Sequence, residues 1–113
     1  MPYLTIYTNV KLDSAAEIAE QASALTADIL NKPQDYVITN IIFNPAMAFG
    51  GSSNNKGALI ELKSIGLGNK NKFIAEMTDL VAQKLNISNK QYIAIGLIDM
   101  PAAYTACAGR AFA

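Results

Sequence analysis

The sequence predicts an α+β fold of two layers, in which two helices cover one face of a four-stranded sheet in the order βαββαβ. The first observation is an alternation of hydrophobic patterns, strand then helix then strand, that occurs once in each half of the chain. The second is that the halves, about 2–44 and 58–100, agree in residue type without a gap at a shift of 56 positions, which places Leu4 on Ile60. The third is the length, since 113 residues suffice for one domain, 1–113, but not for two.

The first half predicts a strand, a helix and a second strand. Aliphatic and polar or aromatic side chains alternate over residues 2–8, as in a strand with one buried face. A helix is expected over about 14–30, where Ser14 and Glu17 form a capping-box signature and an apolar stripe follows. After the breaker NKPQD, the segment YVITNIIF at 36–43 indicates the second strand.

The second half repeats this order. ALIELKS at 58–64 and YIAIGLI at 92–98 have the character of strands, and a helix with one apolar side lies between them at about 70–86. Each half should form a right-handed crossover that joins two parallel strands. We therefore expect two βαβ units related by a pseudo-two-fold axis.

The second strand of each half is apolar at consecutive positions, which is typical of strands buried on both faces. Two helices can cover only one face of the sheet. Leaving the other face in water would cost about 25 cal/mol for each Å² of apolar area. The pattern therefore predicts that this face meets another subunit.

Two segments lie outside the repeat. NPAMAFGGSSNNKG, at 44–57, has the composition of a phosphate-binding loop, but that motif needs a helix directly after it, and a strand follows here. A turn between strands is the preferred interpretation. The small apolar residues after Asp99 fit either a frayed terminus or, preferably, a short strand docked on a neighbouring subunit.

Composition excludes several classes of function. Nine basic and nine acidic residues without a basic block argue against nucleic acid and anionic membranes as partners. No apolar run reaches the roughly 20 residues that cross a bilayer, and no signal peptide is visible. Cys107 has no partner for a disulfide, so we expect a cytoplasmic protein, with secretion without a signal peptide left open.

The absence of histidine and the single cysteine remove the usual catalytic and metal-binding groups. Neither a Ser-His-Asp nor a Cys-His site can form, and zinc or iron sites are not expected. No two carboxylates have a spacing that indicates an acid and base pair. We predict no metal and no cofactor, and any general base must be an unusual one.

Pro2 supports two interpretations. The first residue of a strand is one of the few places where a sheet tolerates proline. If Met1 is removed, however, Pro2 becomes a secondary amine, and apolar surroundings or a nearby cation would lower its pKa toward neutrality. It could then take a proton from a carbon beside a carbonyl group. Lys32, in the turn before the second strand, would anchor an anionic substrate, or could simply favour the dipole at the helix C-terminus.

Several motifs together resemble the macrophage migration inhibitory factor family of the tautomerase superfamily. The N-terminal strand MPYLTIYTNV and the stretches MAFGGSS and KSIG are the most recognisable. The resemblance covers the whole chain. The remaining matches, in order, are NKPQDYV at 31–37, LNIS at 85–88, DM at 99–100 and FA at 112–113.

This resemblance implies a trimer whose three sheets line a central barrel, with a site between subunits. It implies keto–enol tautomerisation of α-keto acids such as phenylpyruvate, and of dopachrome-type compounds. Pro2 matches the catalytic proline and Lys32 the carboxylate-binding lysine. Ile65 matches the residue whose backbone amide meets the substrate, and Tyr36 and Phe112 match aromatic residues around the pocket mouth.

The sequence departs from the family in two places. Ala94 and Gly96 stand where better-known members carry a tyrosine and an asparagine that reach a neighbour's pocket, so we expect a roomier, more apolar pocket and weak activity on dopachrome-type substrates. The Cys-x-x-Cys motif of animal members reads GALI at 57–60, so thiol redox activity is not expected.

Three functions follow, of which a cofactor-free tautomerase is preferred. In that isomerase Pro2 is the base, Lys32 holds the substrate carboxylate and the amide of Ile65 steadies the carbonyl oxygen. The alternative is a secreted cytokine-like binding protein with vestigial activity. Decarboxylation or dehalogenation of a small acid ranks last, because such sites usually add arginines and the only arginine is Arg110, near the tail.

Overall fold

A computed structural model describes residues 1–113 and gives two helices packed on one mixed sheet. The sheet contains four strands: β1 (Tyr3–Thr8), β2 (Ile38–Phe43), β3 (Ala58–Ser64) and β4 (Ile93–Asp99). The helices are α1 (Ala15–Leu30) and α2 (Lys70–Lys84). Two short strands follow, β5 (Ala106–Cys107) and β6 (Arg110–Ala111). Neither helix has the length and apolar character that crossing a bilayer requires.

The strands lie in the order β2-β1-β3-β4. β1 runs parallel to β2 and β3 runs parallel to β4, while the central pair β1 and β3 is antiparallel. The predicted α+β class and the parallel pairing within each half are therefore present.

Strand register follows the 56-residue offset. Tyr3 pairs with Ile38, and the residues 56 positions later, Leu59 and Ala94, also pair. The amide of Asn44 donates to the carbonyl of Thr8 at 2.9 Å, and 56 positions later the amide of Met100 donates to the carbonyl of Ser64 at 2.8 Å. Short 3₁₀ turns at Gln34–Tyr36 and Lys90–Tyr92 obey the same offset.

The core lies between the sheet and the helices. Alternate residues of β1 and β3 are buried on the helix-facing side, including Leu4, Ile6, Ile60 and Leu62. Phe73, Met77 and Val81 of α2 pack against them, as their helical spacing predicts. The apolar stripe on α1 is buried at Ile18, Ala22 and Ile29.

The opposite face of the sheet, which we call the open face, carries exposed aliphatic side chains. Ile38 in β2 and Ile98 in β4 are 57% and 51% exposed in the single chain. Ile42 and Leu59 lie on the same face and are also exposed. The expected uncovered apolar face is thus present, and it includes both edge strands.

Some predicted boundaries were wrong by a few residues. β2 begins at Ile38 rather than residue 36, because the chain after Pro33 first forms the turn Gln34–Tyr36. β4 runs from Ile93 to Asp99, and α2 ends at Lys84 because the chain turns to positive φ at Asn86. The predicted capping box is also wrong. Ser14 is the N-cap residue but its side chain makes no capping hydrogen bond, and its dihedral angles lie outside the extended region typical of such caps.

The segment at 44–57 forms a turn that leads directly into β3. Asn9 fixes this turn, because its side-chain amide donates to the carbonyls of Met47 and Asn55 and its oxygen accepts from the amide of Gly57. In the tail, β5 and β6 pair with each other rather than with the four-stranded sheet. The docked strand expected there is thus a small hairpin in the single chain.

Candidate functional site

Pro2 lies directly before β1, at the end of the sheet where β1 and β2 begin and β3 ends. Its side chain is fully buried, and its carbonyl oxygen accepts a hydrogen bond of 3.0 Å from the amide of Ile38. Proline is tolerated here because it needs no ladder donor at the first position. The ring is therefore held by the sheet and by the core beneath it.

Lys32 reaches the same end of the sheet from α1. Asn31 ends the helix in the left-handed conformation, with φ 51°, and the amide of Lys32 donates back to the carbonyl of Ala27 at 3.0 Å. The side chain then extends so that its Nζ donates to the carbonyl oxygen of Ile65 at 3.2 Å. Two residues that are 33 positions apart in sequence thus meet at one point.

The backbone around Ile65 is held by β4. Gly66 turns the chain at φ 76°, and its amide donates to Oδ1 of Asp99 at 2.9 Å. Asp99 was not proposed as a site residue from the sequence. The only signal for it was its place in the Asp-Met motif, and its contact depends on the pairing of β3 with β4.

The amino-terminal amine lies close to this group. Burial lowers the pKa of the Met1 amine below its ordinary value, and the positive charge of Lys32 lowers it further, while Cys107 acts in the opposite direction. Desolvation and a neighbouring cation both disfavour the protonated form. The end of the sheet is therefore an environment that makes an amine easier to deprotonate.

The two aromatic residues are exposed in the single chain. Tyr36 closes the turn before β2, only two residues from the amide that binds Pro2. Phe112 follows β6, and its amide donates to the carbonyl of Thr105 at 2.9 Å. Cys107, which influences the Met1 amine, belongs to the same hairpin. The pocket roles of Tyr36 and Phe112 stay predictions.

A further residue, Ser64, was not identified from the sequence. Tyr3 pairs with Lys63, and the next step of this antiparallel register places Pro2 opposite Ser64. Ser64 is fully buried, and its Oγ has no hydrogen-bond partner. Sequence alone gives no signal for this pair, because the antiparallel contact between the two halves is not contained in the repeat.

The single chain has one cleft, and it lies elsewhere. It has a volume of about 510 Å³ and lies at the opposite end of the sheet, where Lys56, Asn86 and Tyr92 contribute to a polar lining. Its residues include none of those proposed for the site. Around Pro2, by contrast, the single chain forms no enclosed cavity.

Sequence comparison places the whole chain in one family. The family model described as macrophage migration inhibitory factor matches residues 1–113. A macrophage migration inhibitory factor homolog of Brugia malayi is 37% identical over 117 aligned positions, which cover 99% of each chain. The macrophage migration inhibitory factor of Xenopus laevis is 33% identical over the full length of both chains.

Solved structures lead to the same family. The macrophage migration inhibitory factor from Trichinella spiralis superposes with a TM-score of 0.88 at 30% identity, covering 97% of this chain and 99% of that one. The homologue from Prochlorococcus marinus also gives a TM-score of 0.88, at 29% identity, covering 98% of this chain and 99% of that one. The sequence motifs, the topology and these relatives agree, and the chain belongs to the macrophage migration inhibitory factor family.

Proposed function

We propose that this chain is a cofactor-independent keto–enol tautomerase of α-keto acids, of which phenylpyruvate is the model substrate. The family includes tautomerases and cytokine-like proteins, and its enzymes are isomerases. One observation carries the proposal. Lys32, the backbone of Ile65 and the amino terminus converge at the end of the sheet, in surroundings that lower the pKa of an amine.

The reaction is an isomerisation that moves one proton. The nitrogen of Pro2 takes a proton from the carbon next to the ketone, and the electrons of that C–H bond form the enolate. The Lys32 ammonium binds the substrate carboxylate, and the amide of Ile65 donates to the developing enolate oxygen. The proton then passes to the enolate oxygen, which gives the enol and restores the free amine. No redox step is involved.

This mechanism requires that Met1 be removed. While Met1 is attached, the nitrogen of Pro2 is a tertiary amide with no basicity. Methionine aminopeptidases remove methionine before small residues, which include proline. The amine of Pro2 would then lie one residue closer to the buried end of β1 than the amine of Met1 does.

A homotrimer would complete the site. The open face carries exposed Ile38 and Ile98, whose burial would be favourable by about 25 cal/mol for each Å² of apolar surface. The single chain also has no enclosed cavity at Pro2, as is expected when a neighbour supplies part of the wall. Tyr36 and Phe112 would then lie at the pocket mouth. Both observations support the trimer that the family resemblance implies.

Substrate preference should follow from the open face. Ala94 and Gly96 both face it from β4, and an added Cβ at Gly96 would meet no atom within 4 Å. Neither residue can donate a side-chain hydrogen bond. We infer a pocket that accepts phenylpyruvate readily and orients dopachrome-type substrates poorly.

The deciding experiment compares the wild-type protein, checked by intact mass for loss of Met1, with Pro2→Gly. Phenylpyruvate conversion should fall at least about a hundredfold in the variant, since general base catalysis contributes about that much or more. Thr8→Ala, a buried position at the far end of β1, serves as a control for general loss of folding. Equal rates for wild type and Pro2→Gly would refute the mechanism.

A cytokine-like role is the second candidate, and the names of the relatives favour it. Thiol redox chemistry is not a route to such a role here. An added Cβ at Gly57, the first position of the segment that replaces Cys-x-x-Cys, would lie 2.5 Å from the ring of Phe49. Receptor binding that persists in Pro2→Gly would support a signalling role independent of catalysis.

A further inference from the structure

We propose that Ser64 is a positioning residue for Pro2. When the Pro2 nitrogen takes a proton from substrate, its N–H donates a hydrogen bond to the hydroxyl oxygen of Ser64. This inference rests on the proposed function. It adds a side chain of β3 to a base that is otherwise held by the hydrogen bond from Ile38 and by the core. Strand register, burial and one unpartnered atom place Ser64 in this role.

Backbone hydrogen bonds define how Pro2 and Ser64 face each other. The carbonyl of Pro2 points toward β2, where it accepts from Ile38, and the carbonyl of Ser64 points toward β4, where it accepts from Met100. The carbonyl groups of the two residues therefore point away from each other, and the Cδ atom of the Pro2 ring takes the place of an amide hydrogen on the β2 side. A proton on the free Pro2 amine occupies instead the position of the former bond to Met1, so it is not directed toward β2. The two residues form the non-hydrogen-bonded type of antiparallel pair, in which the Cα atoms approach to about 4.5 Å and the side chains are closest.

Both side chains lie on the helix-facing side of the sheet. Pro2 continues the buried alternation of β1, and Ser64 continues that of β3. Each is fully buried, so water has little access to the space between them. The Oγ of Ser64 thus lies on the same buried face as the ring of Pro2, at the paired position.

The Ser64 hydroxyl lacks a partner in this structure. Most buried hydroxyl groups are hydrogen-bonded, because leaving one unpaired costs stability. The matching hydroxyl at the other end of the repeat, that of Thr8, obeys the rule: it donates to the carbonyl of Gly57 at 2.7 Å and accepts from the amide of Val10 at 3.0 Å. Ser64 differs from its repeat counterpart in this respect.

Removal of Met1 would supply the missing partner. With Met1 attached, the Pro2 nitrogen has no proton to donate. As a free secondary amine it gains donors, and when protonated it forms the stronger, charge-assisted type of hydrogen bond. The hydroxyl of Ser64 would stabilise the protonated form of Pro2, and with it the transition state in which the proton arrives.

Other charged and titratable groups around Pro2 are the same in every variant of this test. Lys32 lies in the turn after α1 and Tyr36 in the turn before β2. Lys63 belongs to β3, Asp99 to β4 and Cys107 to β5. Lys63 projects on the open face, and the carboxylate of Asp99 is held by the amide of Gly66. A difference between wild type and a Ser64 variant therefore reports on the hydroxyl.

The test titrates Pro2 directly in protein labelled with ¹⁵N-proline and shown by mass to lack Met1. In Ser64→Ala the pKa of Pro2 should be lower, because the protonated form loses its acceptor, and the acid limb of the phenylpyruvate pH profile should move the same way. The plateau rate should fall about tenfold, as for one lost transition-state hydrogen bond. Ser64→Thr should restore both, since the corresponding position of the repeat holds a buried threonine.

Thr8→Ala is the matched control. It removes a buried hydroxyl from the same face of the sheet at the opposite end, so it should lower stability without moving the titration of Pro2. An unchanged titration midpoint in Ser64→Ala overturns the role of Ser64, even if Pro2→Gly is inactive. A chain that retains Met1 overturns both proposals. Loss of rate in Ser64→Ala without a change in midpoint would indicate a structural role only.

Discussion

The Nζ of Lys32 lies 3.2 Å from the carbonyl oxygen of Ile65, so the proposed anion anchor is already held against the backbone that would meet the substrate. α1 places Lys32 through the left-handed turn at Asn31, and β3 places Ile65 through the turn at Gly66. A bound carboxylate would exchange this neutral acceptor for a charged one, which gives the stronger type of hydrogen bond. The contact therefore holds the ammonium near its working position before substrate arrives.

Replacing Lys32 by methionine should weaken substrate binding. The loss of one charge-assisted contact to the carboxylate predicts a rise in KM for phenylpyruvate of about tenfold or more. Steady-state kinetics on Lys32→Met and Lys32→Arg would measure it, and the arginine variant should be affected less because it keeps the charge. Lys11→Met, in an exposed lysine after the far end of β1, is the control. An unchanged KM in Lys32→Met would exclude Lys32 as the anchor.

Lys32 should also influence the pH dependence. Burial is the larger cause of the lowered pKa at the amino terminus and Lys32 the second, so removing its positive charge should raise the pKa of that amine. Because the free amine is the reactive form, the acid limb of the rate profile should move to higher pH in Lys32→Met. Amino-terminal acetylation rates against pH would report the same change in protein that retains Met1. A limb that moves to lower pH would contradict this assignment of charge effects.

The open face should be the subunit interface. Ile98→Lys places a charge at an exposed apolar position of β4 and should dissociate the proposed trimer, as measured by light scattering after gel filtration. Ile74→Lys is the matched control, because Ile74 is similarly exposed but lies on α2, on the other side of the molecule. A wild-type protein with the mass of a single chain would exclude this interface. So would an Ile98→Lys variant that remains trimeric.

Local periodicity and the repeat predicted the helices, the strands and the parallel pairing within each half, whereas the antiparallel contact between the halves was not predicted. The helical spacing of Phe73 and Val81 predicted α2 and its buried side. Consecutive apolar residues in β2 and β4 predicted that the open face is apolar. The start of β2 was wrong because the turn at Gln34–Tyr36 competes with the strand pattern. In the site, Pro2 and Lys32 could be proposed from their residue types and positions, Pro2 as an amine after loss of Met1 and Lys32 as a cation before the second strand.

Ser64 and Asp99 carried no such signal. Their proximity to the proposed site arises from the antiparallel pairing of β1 with β3 and the pairing of β3 with β4. A periodic pattern determines which face a residue occupies, but not which residue of another strand lies opposite it. The position of the Ser64 hydroxyl opposite Pro2 therefore follows only from the register of β1 with β3.

Gly57 should tolerate no side chain. An added Cβ would lie 2.5 Å from the Phe49 ring, while both backbone groups of Gly57 are hydrogen-bonded, to Asn9 and to Thr8. Gly57→Ala should therefore destabilise the protein by about 1–3 kcal/mol, the usual cost of overpacking. Urea denaturation at fixed protein concentration would measure it. Phe49→Leu combined with Gly57→Ala should recover part of the loss, and an additive double variant would contradict the proposed clash.

Gly96 offers the most direct test of substrate preference. The position faces the open face from β4, its φ is not positive, and an added Cβ meets nothing within 4 Å, so asparagine should fit in the single chain. Because the missing donor accounts for the expected weak orientation of dopachrome-type substrates, Gly96→Asn should raise kcat/KM for a dopachrome ester about tenfold, the effect of one new hydrogen bond in the transition state. Phenylpyruvate, already anchored through Lys32, should change less. Gly96→Ala supplies the same Cβ without a donor, and an equal gain in that variant would show that strand stiffening, rather than hydrogen bonding, controls the preference.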